Sequence, residues 1–154
     1  MNRRLTALFF FAVAMAFVEA AVVAYLRALF PTTQLTATVP FSHLVYRTEV
    51  IREAATIVML LAVSYLSFTR TALKVVTFFW IFAIWDLVYY AFLKAILGWP
   101  ASFSTRDVLF LIPFPWVAPV WVPLAVSTIA LVVSSYLFVR LGRSRPAAAP
   151  LKAE

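Results

Sequence analysis

Three acids stand inside otherwise oily stretches of this chain: Glu19, Glu53 and Asp86. A charged side chain at the centre of a bilayer costs several kcal/mol, so each needs a partner, a wet cavity or a task. Glu19 and Asp86 each lie about eleven residues, or about 16 Å of helix, from the outer end of their apolar run, near mid-membrane. Glu53 is expected one to two turns deep, with Glu49 at i−4 adding a second carboxylate to its helix face. Two carboxylates held together in low dielectric do not both stay ionised unless a cation joins them. Glu19 facing Asp86 therefore predicts either a shared proton or half of a hard-metal site.

The bases follow the same geometry. Arg27 and Lys94 each stand eight positions beyond their acid, just over two turns and about 12 Å away on the same face. Their depth matches that of Glu53, so the economical pairing joins Arg27 or Lys94 to Glu53. Tyr89 and Tyr90, one turn after Asp86, bring phenol hydroxyls to the deeper acids. The candidate polar cluster is thus Glu19, Glu53, Asp86, Arg27, Lys94 and Tyr90.

Metal chemistry is the sharpest version of this expectation. Four-helix bundles hold paired iron or manganese between inward carboxylates, usually with Glu-x-x-His motifs. No such motif is present, and the chain's one histidine, His43, falls in the loop before the second helix, where it would cap a site from outside. The candidate ligand set is Glu19, Glu53 and Asp86 with His43, for a hard ion such as iron or manganese. The same acids also serve simply as glue between helices, where a polar contact is worth roughly 0.6–2 kcal/mol.

The elements that position these residues are dictated by composition. The chain is 65% hydrophobic and 12% charged, with a mean hydropathy of +0.98. A soluble domain is about a quarter charged, so lipid must be the solvent. Four apolar runs are long enough to cross a bilayer: 5–30, about 48–68, 75–97 and 120–139. The first resembles a signal peptide, with Arg3 and Arg4 before an oily stretch, but it continues past Glu19 to Leu26, beyond a typical cleavage point. The expected fold is an all-α integral membrane protein of four transmembrane helices, with one domain over 1–140 and a disordered basic, Ala- and Pro-containing tail over 141–154.

Orientation follows the short flanks. Arg3, Arg4, Arg70, Lys74, Arg140, Arg143, Arg145 and Lys152 gather at one side, which places both termini in the cytoplasm at an inner (plasma) membrane of bacterial type. The net charge of +7 is thereby explained by topology anchors, with no continuous basic face for nucleic acid. The absence of cysteine excludes disulfides, thiolate metal sites and cysteine nucleophiles. No phosphate-binding glycine loop, HExxH or nucleophile elbow occurs, and with two glycines no small-xxx-small seam is evident.

Between the third and fourth runs, an aromatic and proline-rich outer segment, 99–119, carries Trp99, Asp107 and Trp116, with Trp121 just beyond it. Tryptophan prefers the headgroup level and proline breaks helices. The segment is expected to be an anchoring loop, or an interfacial helix over 108–112 capped by Asp107, acting as a lid or a lipid groove. The first and third runs also echo each other without a gap. Glu19-Ala-Ala-Val-Val-Ala-Tyr-Leu-Arg27 aligns with Asp86-Leu-Val-Tyr-Tyr-Ala-Phe-Leu-Lys94, as two helix hairpins related by an axis along the membrane normal would.

Three function classes remain open. In the first, the carboxylates open to the non-cytoplasmic side and bind a cation or proton, in a small transporter or a membrane enzyme with a lipid-soluble substrate. In the second, the carboxylates are purely structural, in an accessory or assembly subunit of a larger membrane complex or homo-oligomer. In the third, the tryptophan–proline segment admits a lipid for binding or modification.

Overall fold

The computed structural model describes residues 2–29 and 43–143. The four apolar runs form α1 (Asn2–Leu29), α2 (His43–Ser67), α3 (Thr71–Leu97) and α4 (Trp121–Arg143), and all four are long and apolar enough to cross a membrane. The connection expected after the first run lies mostly outside the described residues, as do tail residues 144–154. Each helix extends past its expected run at one end by three to five residues. His43 opens α2 instead of lying in a loop before it, and α4 extends to Arg143, into what was expected to be tail.

The centre of the arrangement is α3. The other three helices pack on it, α1 and α4 most extensively and α2 less, while α2 and α4 scarcely touch each other. The α1–α3 contact explains itself from α1: Ala12, Ala16 and Ala20, one turn apart, are completely buried. Ala12 and Ala16 meet Ile81, Ile84 and Trp85 of α3, and Ala20 meets Tyr90 and Leu93. This is a small-residue seam built from alanine in place of glycine. A methyl at every fourth position lets two backbones approach almost as closely as glycine does. Ala16→Leu is expected to lower stability in detergent by about 2 kcal/mol through overpacking. Phe10→Leu, on the 64% exposed face, should leave it unchanged; chemical denaturation of both variants checks this.

The basic residues tie the opposite end together. Arg4 donates to the Ser67 carbonyl at the end of α2 (3.1 Å), and Arg70 donates to the Leu141 carbonyl near the end of α4 (3.2 Å). The start of α1, the α2–α3 turn and the end of α4 therefore share one end of the bundle. At the other end, Gly98 stops α3 in the left-handed conformation (φ 65°), its N–H bonding the Lys94 carbonyl at 3.1 Å. That conformation strains any residue with a Cβ.

The segment after Gly98 is neither an irregular loop nor an interfacial helix. It is an antiparallel hairpin, β1 (Arg106–Phe110) and β2 (Trp116–Pro119), in register Asp107 with Ala118 and Val108 with Val117, with a bulge before Phe110. Asp107 caps no helix here. Pro113 and Pro115 stand just beyond β1 and deny a helix its amide donors, while Val108 and Phe110 suit a pleated strand. The Val120 and Trp121 amides bond the Thr105 and Phe103 carbonyls at 2.9 and 3.0 Å, which fixes the hairpin to the start of α4.

Candidate functional site

Each helix turns one stripe of residues toward the hairpin end. On α2 the stripe is Tyr46, Glu49, Arg52, Glu53 and Thr56; on α3 it is Phe82, Trp85, Asp86, Tyr89 and Tyr90. Glu19, Val23 and Arg27 of α1 and Val126 and Ser127 of α4 complete the walls, and the hairpin forms the roof. Together they enclose a chamber of about 840 Å³. The spacings are i, i+3, i+4 and i+7, the signature of a single helix face.

The most buried of the chamber's acids is Glu19. It forms an ion pair with Arg52 and accepts a hydrogen bond from the Thr56 hydroxyl at 2.6 Å. Arg52 also reaches Glu49 through Nε at 2.9 Å and through a terminal nitrogen at 2.8 Å. One guanidinium thus serves two carboxylates, which suits its fork of donors. On α3, Asp86 accepts the Ser127 hydroxyl at 2.7 Å, and among the described residues no hydrogen bond joins Asp86 to Glu19. Both acids of the pair expected from the sequence line the chamber, each with its own donors.

Glu53 is not paired with Arg27 or Lys94. It accepts the backbone N–H of Leu111 at 3.0 and 2.9 Å, and that of Ile112 at 3.1 Å, so α2 grips the chain just beyond β1. Lys94 is occupied at the end of α3, bonding the Gly98 and Pro100 carbonyls at 3.1 and 2.8 Å. Arg27 lies over the Trp99 ring at 4.2 Å, and Trp99 in turn stacks on Tyr90 at 6.3 Å. Tyr90 donates to Asp107 of β1 at 2.8 Å, not to Asp86. Burial raises the Asp107 carboxyl above the ordinary aspartate range, against the lowering pull of the Tyr90 hydroxyl, the Val108 amide and Arg27.

The sequence-predicted residues therefore converge on one chamber, but not as one cluster. Glu19, Glu53, Asp86, Arg27, Tyr90, Asp107, Trp116 and His43 line it. Lys94, Trp99 and Trp121 do not; Trp99 backs the wall through Tyr90 and Arg27, and Trp121 is 55% exposed at the start of α4. Among the described residues no three of His, Asp and Glu come together as a metal-ligand group, so Glu19, Glu53, Asp86 and His43 form no common coordination shell. The sequence reading missed Arg52, Thr56 and Ser127 as site residues. The first two could have been found from the stripe Glu49, Arg52, Glu53, Thr56.

Two buried donors have no acceptor among the described residues, Arg27 Nε and the Trp85 indole N–H, and both residues line the chamber. An unpaired buried donor costs roughly 1–3 kcal/mol and calls for an explanation, often functional. Comparison with known protein families, curated proteins and solved structures finds no match to this chain, so the chemistry of the chamber rests on its own residues.

Proposed function

We propose that this chain is a polytopic membrane protein whose chamber binds a cation or takes up protons, as a small transporter or as an enzyme acting on a lipid-soluble substrate. The observation that carries the reading is the distribution of acids. Five of the six in the chain, Glu19, Glu49, Glu53, Asp86 and Asp107, line this one chamber, against two arginines, Arg27 and Arg52. Carboxylates holding helices together for stability alone would be scattered among the helix contacts, each beside its own base. Here they outnumber the bases by three in a confined space, and only protons or an added cation restore balance.

The chamber lies at the end opposite Arg4 and Arg70, and by the positive-inside rule that end faces the non-cytoplasmic side, with both termini in the cytoplasm.

The test is proton release. Purified protein in weakly buffered nanodiscs is titrated with sodium, calcium, manganese and tetraethylammonium at constant pH. A cation that occupies the chamber displaces shared protons, and the acidification should fall by at least half in Glu19→Gln and Asp86→Asn. Folded wild-type protein that releases no protons with any member of the series would sink the reading. Purely structural carboxylates predict that result.

A further inference from the structure

We infer that the ligand of this chamber is an amphiphile with an ammonium head, admitted sideways from the membrane between α2 and α4. The inference rests on the cation reading above and names the class of cation.

The first argument is the form of the negative charge. Small hard cations are held by several oxygens converging within 2–2.6 Å of one point, and no such group of three acids or histidines exists among the described residues. The acids are instead spread over three helices and the hairpin. Each already accepts a hydrogen bond or an ion pair at close range: Glu19 and Glu49 from Arg52, Glu53 from two amides, Asp86 from Ser127, Asp107 from Tyr90. What they offer an occupant is a broad negative field, which matches a large cation better than a bare metal ion.

The second argument is the wall. Phe82, Trp85, Tyr89, Phe110 and Trp116 all line the same space. Trp85 stacks on Tyr89 at 6.2 Å, and Phe82 lies parallel to Phe110 at 6.4 Å, so helix and hairpin share one aromatic surface. Aromatic faces beside carboxylates are the chemistry that recognises organic ammonium groups, and they also cover an apolar body.

The third argument is the way in. The three helices packed on α3 scarcely meet one another; Glu19 bridges α1 to α2 through Arg52 and Thr56, whereas among the described residues the chamber-lining side chains of α2 and α4 make no bond to each other. Tyr46 on α2 and Val126 on α4 line it while remaining 41% and 59% exposed. The chamber therefore has a side mouth level with the first two turns of both helices. An alkyl tail can stay in lipid there while the head reaches Glu19 and Asp86.

The probe is dibromododecylammonium, whose bromines quench tryptophan at contact, compared with the neutral dibromododecanol at equal membrane mole fraction in phosphatidylcholine nanodiscs. The ammonium probe should quench saturably at a concentration at least tenfold below that of the alcohol. Asp86→Asn should remove most of that preference, and Val126→Phe should slow its onset. Asp86 is the informative position because Ser127 is its one hydrogen-bond partner among the described residues, so its variant is expected to fold even if Glu19→Gln does not. Equal quenching by amine and alcohol, or a preference untouched by Asp86→Asn, overturns the inference. If inorganic cations release protons but the amine shows no preference, the ligand class fails and the cation reading stands. If neither occurs, both fail.

Discussion

Arg52→Met is expected to be the most destabilising single change in the chamber, at about 3–5 kcal/mol, because it removes the cation from between two acids. The Glu19 side chain is 9% exposed and that of Glu49 15%, while Arg52 itself is 28% exposed, so water solvates neither acid well once the guanidinium is gone. The loss is not the worth of the ion pair. It is mostly the cost of leaving buried charge uncompensated, and that distinction can be tested. Glu19→Gln with Arg52→Met should recover more than half of the deficit although it deletes more of the native network, because it removes the stranded charge. The deficit of the single variant should also narrow as pH falls, since protonation neutralises the same two acids. Thermal or denaturant unfolding in detergent at several pH values measures both effects. A double variant less stable than Arg52→Met would show that the pair contributes by direct attraction instead.

How much of this arrangement was legible in the sequence depends on the range of the signal. The helices were readable because an apolar run of more than about 20 residues has few other uses. The hairpin was not. Pro113 and Pro115 say where a helix cannot run, but Arg106–Phe110 becomes a strand only because Trp116–Pro119 pairs with it, and five-residue segments do not declare their partners.

The acids were readable because charge in an oily run is rare; their partners were not, for a definite reason. Hydroxyls in apolar helices commonly bond the carbonyl one turn back, as Ser64, Thr77, Thr128 and Ser134 do here at 2.6–2.7 Å. Nothing in the sequence distinguishes them from Ser127, which turns to Asp86, or from Thr56, which serves both its own helix and Glu19. Arg27 and Lys94 misled because depth alone matched them to Glu53. Trp99 and the open carbonyls after α3 offered nearer partners than an acid on another helix.

The second large effect concerns the roof. Between the strands, Pro113 and Pro115 carry no N–H, and the Leu111 and Ile112 amides are both held by the Glu53 carboxylate. Hydrogen bonds to a charged acceptor are about twice as strong as neutral ones, but Ile112 is 40% exposed, so water can replace part of what is lost. Glu53→Ala should cost the hairpin about 2 kcal/mol locally, which is roughly a 30-fold rise in hydrogen exchange at Leu111 and Ile112. Amides in the middle of α1 and α3 should not change. Glu53→Gln keeps an acceptor oxygen without the charge and should fall between. Acrylamide should quench Trp116 more readily in the alanine variant, because that residue sits on the hairpin and lines the chamber. Unchanged protection at both amides would mean that strand pairing and the Tyr90–Asp107 bond hold the roof without Glu53. Increased exchange confined to the hairpin would mean that one carboxylate of α2 both lines the chamber and fastens its cover. Any change in the charge of Glu53, by a proton or by an arriving cation, would then be felt directly by the roof above it.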